Sequence, residues 1–260
     1  MNKSYPPVNA LLRGLDVLAQ VSALGNASIR DLHARTGISK STIVRNLETL
    51  EHAGYVARNS DTGLYSLTAR VLGVSAGYNH HTRLIELATP VLDAYRKVMP
   101  WPSDLALFDR DEMVIIQSNR DPGALALNRA VGTRLSIANS ALGRAYLAFC
   151  DPELKDIVLD RCLDMQSDDG NTRNTIEKKL ARYREQGFSE NDQSLSHNTR
   201  GVGVPVLVNG KVEACINTIV LAEALSMKDV IRRCVPQLKE TAQQISAALQ
   251  ADAGVLDQPT

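Results

Sequence analysis

What the chain lacks narrows its class before any motif is read. Nowhere in its 260 residues is there the run of roughly 18 apolar residues that a membrane helix needs, so no membrane-spanning role is expected. The opening MNKSYPPVNALLRGLDVL has no apolar run followed by a small-residue cleavage site, and the chain is expected to stay in the cytoplasm. Its four cysteines, Cys150, Cys162, Cys215 and Cys234, stand apart without the close pairs of zinc or redox sites and read as buried free thiols. Net formal charge is zero, which argues against indiscriminate nucleic-acid binding by the whole chain.

Catalytic signatures are missing too. There is no GxSxG, no GxxxxGK followed by Ser or Thr, and no HExxH. The acidic run from Asp164 to Asp169 lacks the glycine turn and alternating ligands of a calcium loop. Of the five histidines only His197 lies well inside the second half. No catalytic role, metal or cofactor is expected, and neither an internal repeat nor a low-complexity tract is present.

What is there suits two domains, each long enough to bury a core. Up to residue 75, eight basic residues stand against five acidic ones, leaving 21 basic against 24 acidic in the remainder. A helix is predicted over about 9–24, with Leu11, Leu15 and Leu18 at helical spacing and Gly25-Asn26 as its stop. Ser28 with Asp31 makes a capping box for a second, short helix that Gly37 closes in a left-handed conformation. Ser39 caps a third, with Ile43, Leu47 and Leu50 on its apolar face and Gly54 at its end. Strand-like runs at 55–58 and 64–67 flank the turn-forming NSDTG.

Three helices and a hairpin make a winged helix-turn-helix. The short break Thr36-Gly37-Ile38-Ser39 sets the second helix across the third, so that the third can enter a major groove about 12 Å wide. Its exposed start offers Ser39, Lys40, Ser41, Thr42, Arg45 and Asn46, and Arg58 lies beside the wing turn. Ser41 and Thr42 also serve as backbone caps, and Arg58 also reads as an ordinary surface arginine. One such unit reads too little sequence to find its site, so a dimer on a palindromic double-stranded operator is expected.

Residues 67–98 read as two connector helices, with Thr89-Pro90 as a restart or kink. Strands are predicted at 105–108, 113–117 and 125–130, and helices from Ser140, from Asp151-Pro152 and from Thr175 to Gln186. Strands at 202–208 and 212–220 meet at the tight turn Asn209-Gly210. A last helix runs from Ser226, boxed by Asp229, to about Leu249. Antiparallel strands flanked by helices give an α+β fold. At the Ser140 helix start, the hydroxyl and the free N–H groups of Ala141 and Leu142 can hold a carboxylate, or the helix is simply capped.

The stretch Ile38-Ser39-Lys40-Ser41-Thr42 and the phrase Ser140-Ala141-Leu142-Gly143-Arg144-Ala145, in that order, resemble the IclR-type bacterial transcriptional regulators. Within that family WPSDLALFDRDEMVIIQS and RAVGTRLSIANSALGRAYLAFC look most like activators of 3-(3-hydroxyphenyl)propionate degradation. The resemblance implies a winged helix-turn-helix over 1–75, linker helices over 76–98 and a GAF-like effector-binding domain over 99–260. It further implies a small, often aromatic, carboxylate effector and a homodimer or homotetramer. Carried over by position, the pocket comprises Trp101, Leu135, Ser140, Ala141, Leu142, Cys215, Asn217 and Ile219, although Trp101 suits the domain core equally. Ser136-Ile137-Ala138 stands where the family often has Pro-Leu-His, which points away from small keto acids. The expectation is a two-state regulator acting through operator occupancy or RNA polymerase, as activator or repressor. An enzyme with an appended winged helix, or a winged helix that contacts only proteins, stay as alternatives.

Overall fold

The computed structural model of the chain describes residues 5–75, 82–119, 131–164 and 173–256. They fall into two compact units, Met1–His81 and Thr82–Thr260. The strand expected at 125–130 lies outside the described residues. No helix among those residues is long and apolar enough to cross a membrane.

The first unit is a three-helix cluster with a two-stranded wing: α1 (Asn9–Leu24), α2 (Ile29–Thr36), α3 (Lys40–His52), β1 (Val56–Arg58), β2 (Tyr65–Leu67) and a short α4 (Val71–Ser75). Its boundaries follow from local chemistry. Ser28 Oγ accepts the Asp31 N–H at 3.1 Å while the Asp31 carboxylate accepts the Ser28 N–H at 3.3 Å, closing the box that starts α2. Gly37, at φ 67°, takes the left-handed step that ends it. The turn is braced further, since Thr36 Oγ1 donates to the Leu32 carbonyl and accepts the Ile38 N–H. The core is Val17, Val21, Leu32, Ile43, Leu47, Val56 and Tyr65. In α1 it is therefore Val17 and Val21 that are buried, while Leu11, Leu12 and Leu15 are 62%, 48% and 54% exposed. Leu18 packs against this core, whereas Leu11, Leu12 and Leu15 form a stripe that is exposed in this unit.

The second unit is a three-layer sandwich around a six-stranded antiparallel sheet. Its strands are β3 (Asp104–Asp109), β4 (Glu112–Ser118), β5 (Arg134–Ser136), β6 (Ser189–Asp192), β7 (Thr199–Val208) and β8 (Lys211–Leu221), in the spatial order β5-β4-β3-β8-β7-β6. Asn209 and Gly210, both at positive φ, make the two-residue turn between β7 and β8. α5 (Thr82–Val98) and α9 (Met227–Leu256) cover one face, where Leu92, Leu105, Val204, Ile216 and Leu238 share a core. The stretch 82–98, read from sequence as connector, packs into this layer. Pro90 leaves α5 unbroken, and Thr89 joins helix to sheet by accepting from Gln117 at 3.1 Å. α6 (Ala141–Phe149), α7 (Pro152–Asp164) and α8 (Arg173–Gln186) cover the other face with Met113, Ile115, Leu142, Leu159 and Leu180.

Candidate functional site

On α3, Lys40, Ser41 and Arg45 are exposed, as is the cap Ser39. The Ser39 hydroxyl lies 2.9 Å from Thr42 Oγ1 and 3.2 Å from Ser41 Oγ, so part of the polar helix start is engaged in holding its own cap. Thr42 and Asn46 are half-buried and line a groove of about 510 Å³ against α1, beside Leu11, Gly14 and Leu15. Asn46 Nδ2 is buried there without a hydrogen-bond partner among the described residues. The sequence placed Asn46 with the exposed side of the helix; its side chain instead turns toward α1, because one residue beyond Arg45 is about 100° further round a helix. The outward set is Lys40, Ser41 and Arg45. Arg58, on β1, rests its guanidinium over the Tyr65 ring at 5.8 Å and stays exposed at the wing turn.

The second candidate lies where α6 begins. Ser140 is buried, and its Oγ accepts the Gly143 N–H at 2.9 Å as N-cap. The N–H groups of Ala141 and Leu142 have no acceptor among the described residues. Two glycines let this end of α6 sit down on its surroundings. A Cβ on Gly143 would lie 2.1 Å from the Ile137 carbonyl oxygen, and one on Gly203 would lie 2.6 Å from the Ala141 carbonyl oxygen. Ser189 Oγ, one strand over, donates to that same Ala141 oxygen at 2.5 Å. Arg144 fastens the turn from below, donating to the carbonyls of Ala138 and Glu190 at 2.8 and 2.9 Å; its burial pulls the guanidinium below its ordinary value.

Between α6 and the sheet these residues leave a crevice of only about 10 Å³, lined by Ser140, Ala141, Asn191, Thr199, Arg200, Gly201, Asn217 and Ile219. That is room for one water at most. The Arg200 guanidinium is employed elsewhere, on Asp192 at 2.7 Å and on the Leu225 carbonyl at 2.8 Å. Of the residues carried over from sequence, Ser140, Ala141, Asn217 and Ile219 meet in this crevice. Leu135, Leu142 and Cys215 share the same side of the sheet but sit within its apolar core, where burial pushes the Cys215 thiol up. Trp101 is not among the lining residues; it packs, partly buried, on the opposite core with α5 and α9. Sequence reasoning missed Asn191 and Thr199, which lie on polar strand segments with no apolar alternation to announce them. It also missed Asp104, whose contact with Asn217 joins residues 113 apart.

Known proteins carry the same two parts. Residues 10–60 match the IclR helix-turn-helix domain, and residues 76–247 match the family described as bacterial transcriptional regulator IclR C-terminal. The chain is 24% identical over 251 residues to the HTH-type transcriptional regulator KdgR of Escherichia coli K12, covering 96% of this chain and 95% of that protein. It is 26% identical over 250 residues to the DNA-binding transcriptional repressor YiaJ of the same organism, covering 92% and 87%. Among solved structures, a transcriptional regulator from Rhodococcus sp. RHA1 superposes with a TM-score of 0.70 at 25% identity, over 95% of this chain and all of that one. The IclR of Thermotoga maritima does so at 0.67 and 22%, over 93% and 99%. With a helix-turn-helix unit whose recognition helix presents Lys40, Ser41 and Arg45, and a C-terminal unit of the matching type, the chain belongs to the IclR family of DNA-binding bacterial transcriptional regulators.

Proposed function

We propose that the chain is a cytoplasmic regulator of a catabolic operon, controlled by a small aromatic carboxylate that binds where α6 begins. The observation that carries this reading is the pair of N–H groups on Ala141 and Leu142, at the positive end of α6 and without an acceptor among the described residues. They adjoin a crevice to which Asn191, Thr199 and Asn217 add polar walls beside Gly201 and Ile219. A carboxylate satisfies those donors and gains from the helix dipole with no charged side chain needed. In this state the crevice is too small for a ring, so binding entails that the first turn of α6 and the strands beneath it part. The effector then favours the open arrangement by its difference in affinity for the two states.

An aromatic acid is favoured by the sequence resemblance to activators of 3-(3-hydroxyphenyl)propionate degradation. An IclR homologue from Microbacterium hydrocarbonoxydans, of the same fold, is described in complex with 4-hydroxybenzoate. On the DNA side, Lys40, Ser41 and Arg45 enter the major groove and Arg58 reaches a phosphate from the wing. The exposed leucines of α1 pair two copies into a homodimer, which can double to a tetramer. Effector binding changes operator occupancy or the contact with RNA polymerase, raising transcription.

The test is thermal unfolding of the full chain with benzoate, 4-hydroxybenzoate, 3-(3-hydroxyphenyl)propionate and pyruvate. An acid present at 100 times its dissociation constant adds about 2.7 kcal/mol. The reading holds if an aromatic acid stabilises the chain and Ala141→Leu, which fills the crevice, diminishes the shift; it fails if Ala141→Leu leaves the shift unchanged, if pyruvate alone stabilises the chain, or if no acid does. One observation favours a ligand-released repressor instead: the relative YiaJ is named a repressor. A promoter fusion in cells with and without the regulator decides between them, because removing an activator leaves transcription low even with effector, whereas removing a repressor leaves it high without effector.

A further inference from the structure

α6 has a second cavity at its other end. This one is open, with a volume of about 560 Å³, inside the 300–1,000 Å³ usual for small-molecule sites. It lies where the C-terminal turn of α6 meets the start of α7, the end of α8 and the β7–β8 turn.

Its lining has two parts of different chemistry. The apolar part is Tyr146, Phe149 and Leu154. The Tyr146 ring is stacked on Phe108, centroids 4.4 Å apart, so it offers a fixed wall rather than a mobile side chain. Tyr146 is only 8% exposed. Burial pushes that phenol well above its ordinary ionisation range, so it remains a neutral donor.

The polar part is cationic. Arg184, near the end of α8, and Lys211, at the first position of β8, both line the cavity, and neither side chain has a carboxylate partner among the described residues. The one acid of the lining, Asp151, has an oxygen already accepting the N–H groups of Glu153 and Leu154 at 2.9 and 3.3 Å, where it caps α7. Two cations thus stand against one acid in a lining that also holds Tyr146 and Phe149.

We propose that this cavity is a second small-molecule site, separate from the crevice at the start of α6, and that it takes an aryl carboxylate. The ring lies against Tyr146 and Phe149, the carboxylate reaches Arg184 and Lys211, and the Tyr146 hydroxyl donates to the ligand. A neutral aryl compound gives up the charge-assisted bonds and binds far more weakly.

Isothermal titration of the full chain with benzoate tests this, with benzamide as the neutral counterpart. Arg184→Gln with Lys211→Gln alters only exposed side chains, so circular dichroism and thermal unfolding should match the parent. The expected result is a benzoate binding event that this double variant weakens about ten- to a hundredfold, as lost bonds to charged groups imply. The same event should persist in the crevice-filling Ala141→Leu and be absent with benzamide. The proposal is overturned if benzoate binding is unchanged in the double variant, if it disappears in Ala141→Leu alone, or if the parent chain does not bind benzoate at millimolar concentration.

Discussion

Asn217 and Asp104 face each other across β8 and β3 and share two hydrogen bonds. Asn217 Oδ1 accepts the Asp104 N–H at 2.7 Å, and Asn217 Nδ2 donates to Asp104 Oδ2 at 3.2 Å. Both residues are buried, and Ser118 Oγ donates to the other Asp104 oxygen at 2.7 Å. The pairing leaves Asn217 one amide hydrogen and one lone pair with which to meet the crevice. Asn217→Leu removes two of Asp104's hydrogen bonds at once. We expect a loss of about 2 kcal/mol in urea unfolding, the scale of a buried polar group left short of bonds. A midpoint equal to the parent's would remove this pair from the account of the site.

Gly143→Ala sets two effects against each other. Alanine is favoured over glycine in a helix by roughly 1 kcal/mol. The new Cβ, however, would lie 2.1 Å from the backbone oxygen of Ile137, which cannot swing aside as a flexible side chain would. Overpacking should win, with a net loss of about 2 kcal/mol or more and a melting temperature several degrees lower. A stabilised variant would mean that α6 does not seat on the 137–140 turn as described.

Arg45 and Asn46 are neighbours in sequence with opposite expected phenotypes. Arg45→Ala should weaken operator binding by roughly 1–3 kcal/mol and change the slope of affinity against salt. Asn46→Leu replaces a buried amide nitrogen that has no partner among the described residues with an apolar group in the groove lined by Leu11 and Leu15. It should raise the melting temperature and leave operator preference as it was. Fluorescence anisotropy at two salt concentrations separates the two, and a switch of base preference in Asn46→Leu would contradict the orientation seen here.

Leu11, Leu12 and Leu15 form the exposed stripe of α1. Leu11→Glu with Leu15→Glu should leave the helical signal intact, because neither residue is in the core. It should lower the sedimentation coefficient toward that of a smaller assembly and reduce operator affinity more than tenfold. An unchanged coefficient would move the pairing surface elsewhere.

The thiols give a pH signature. Burial raises Cys150 from the ordinary 9.0 to about 11, chiefly by desolvating the thiolate. A group whose ionisation is raised on folding contributes stability that is complete below its unfolded value and lost as pH rises through the folded one. Unfolding free energy should therefore decline between about pH 9 and pH 11. At neutral pH Cys162, half-buried, should react with a thiol reagent before Cys150, Cys215 and Cys234, which are buried. Faster labelling of Cys215 than of Cys162 would contradict the packing.

The first unit was legible because its limits are set by neighbours in sequence: Ser28 with Asp31, Gly37, Ser39, Gly54. What periodicity did not reveal was the partner of each stripe. Of the α1 leucines at helical spacing, Leu18 packs on the core while Leu11 and Leu15 face outward, and Asn46 needed α1 in place before its direction was defined. In the second unit β7, β8 and their Asn209-Gly210 turn announce themselves, whereas β5 and β6 do not. Both are edge strands of three and four residues, and the RLS and SEND stretches carry no apolar alternation. The start of α6 was found through Ser140 and its glycine. The rest of the crevice comes from strands brought together over long separations, and the Asp104–Asn217 pair has no local trace.

The near absence of free volume between α6 and β7–β8 also bears on time. A ligand that enters such a site waits for the protein to breathe, on a scale of microseconds to milliseconds or slower, and leaves only when it breathes again. Observed association rates should then level off as ligand concentration rises, fixed by the opening step. A regulator built this way responds to a metabolite that persists and averages over one that flickers.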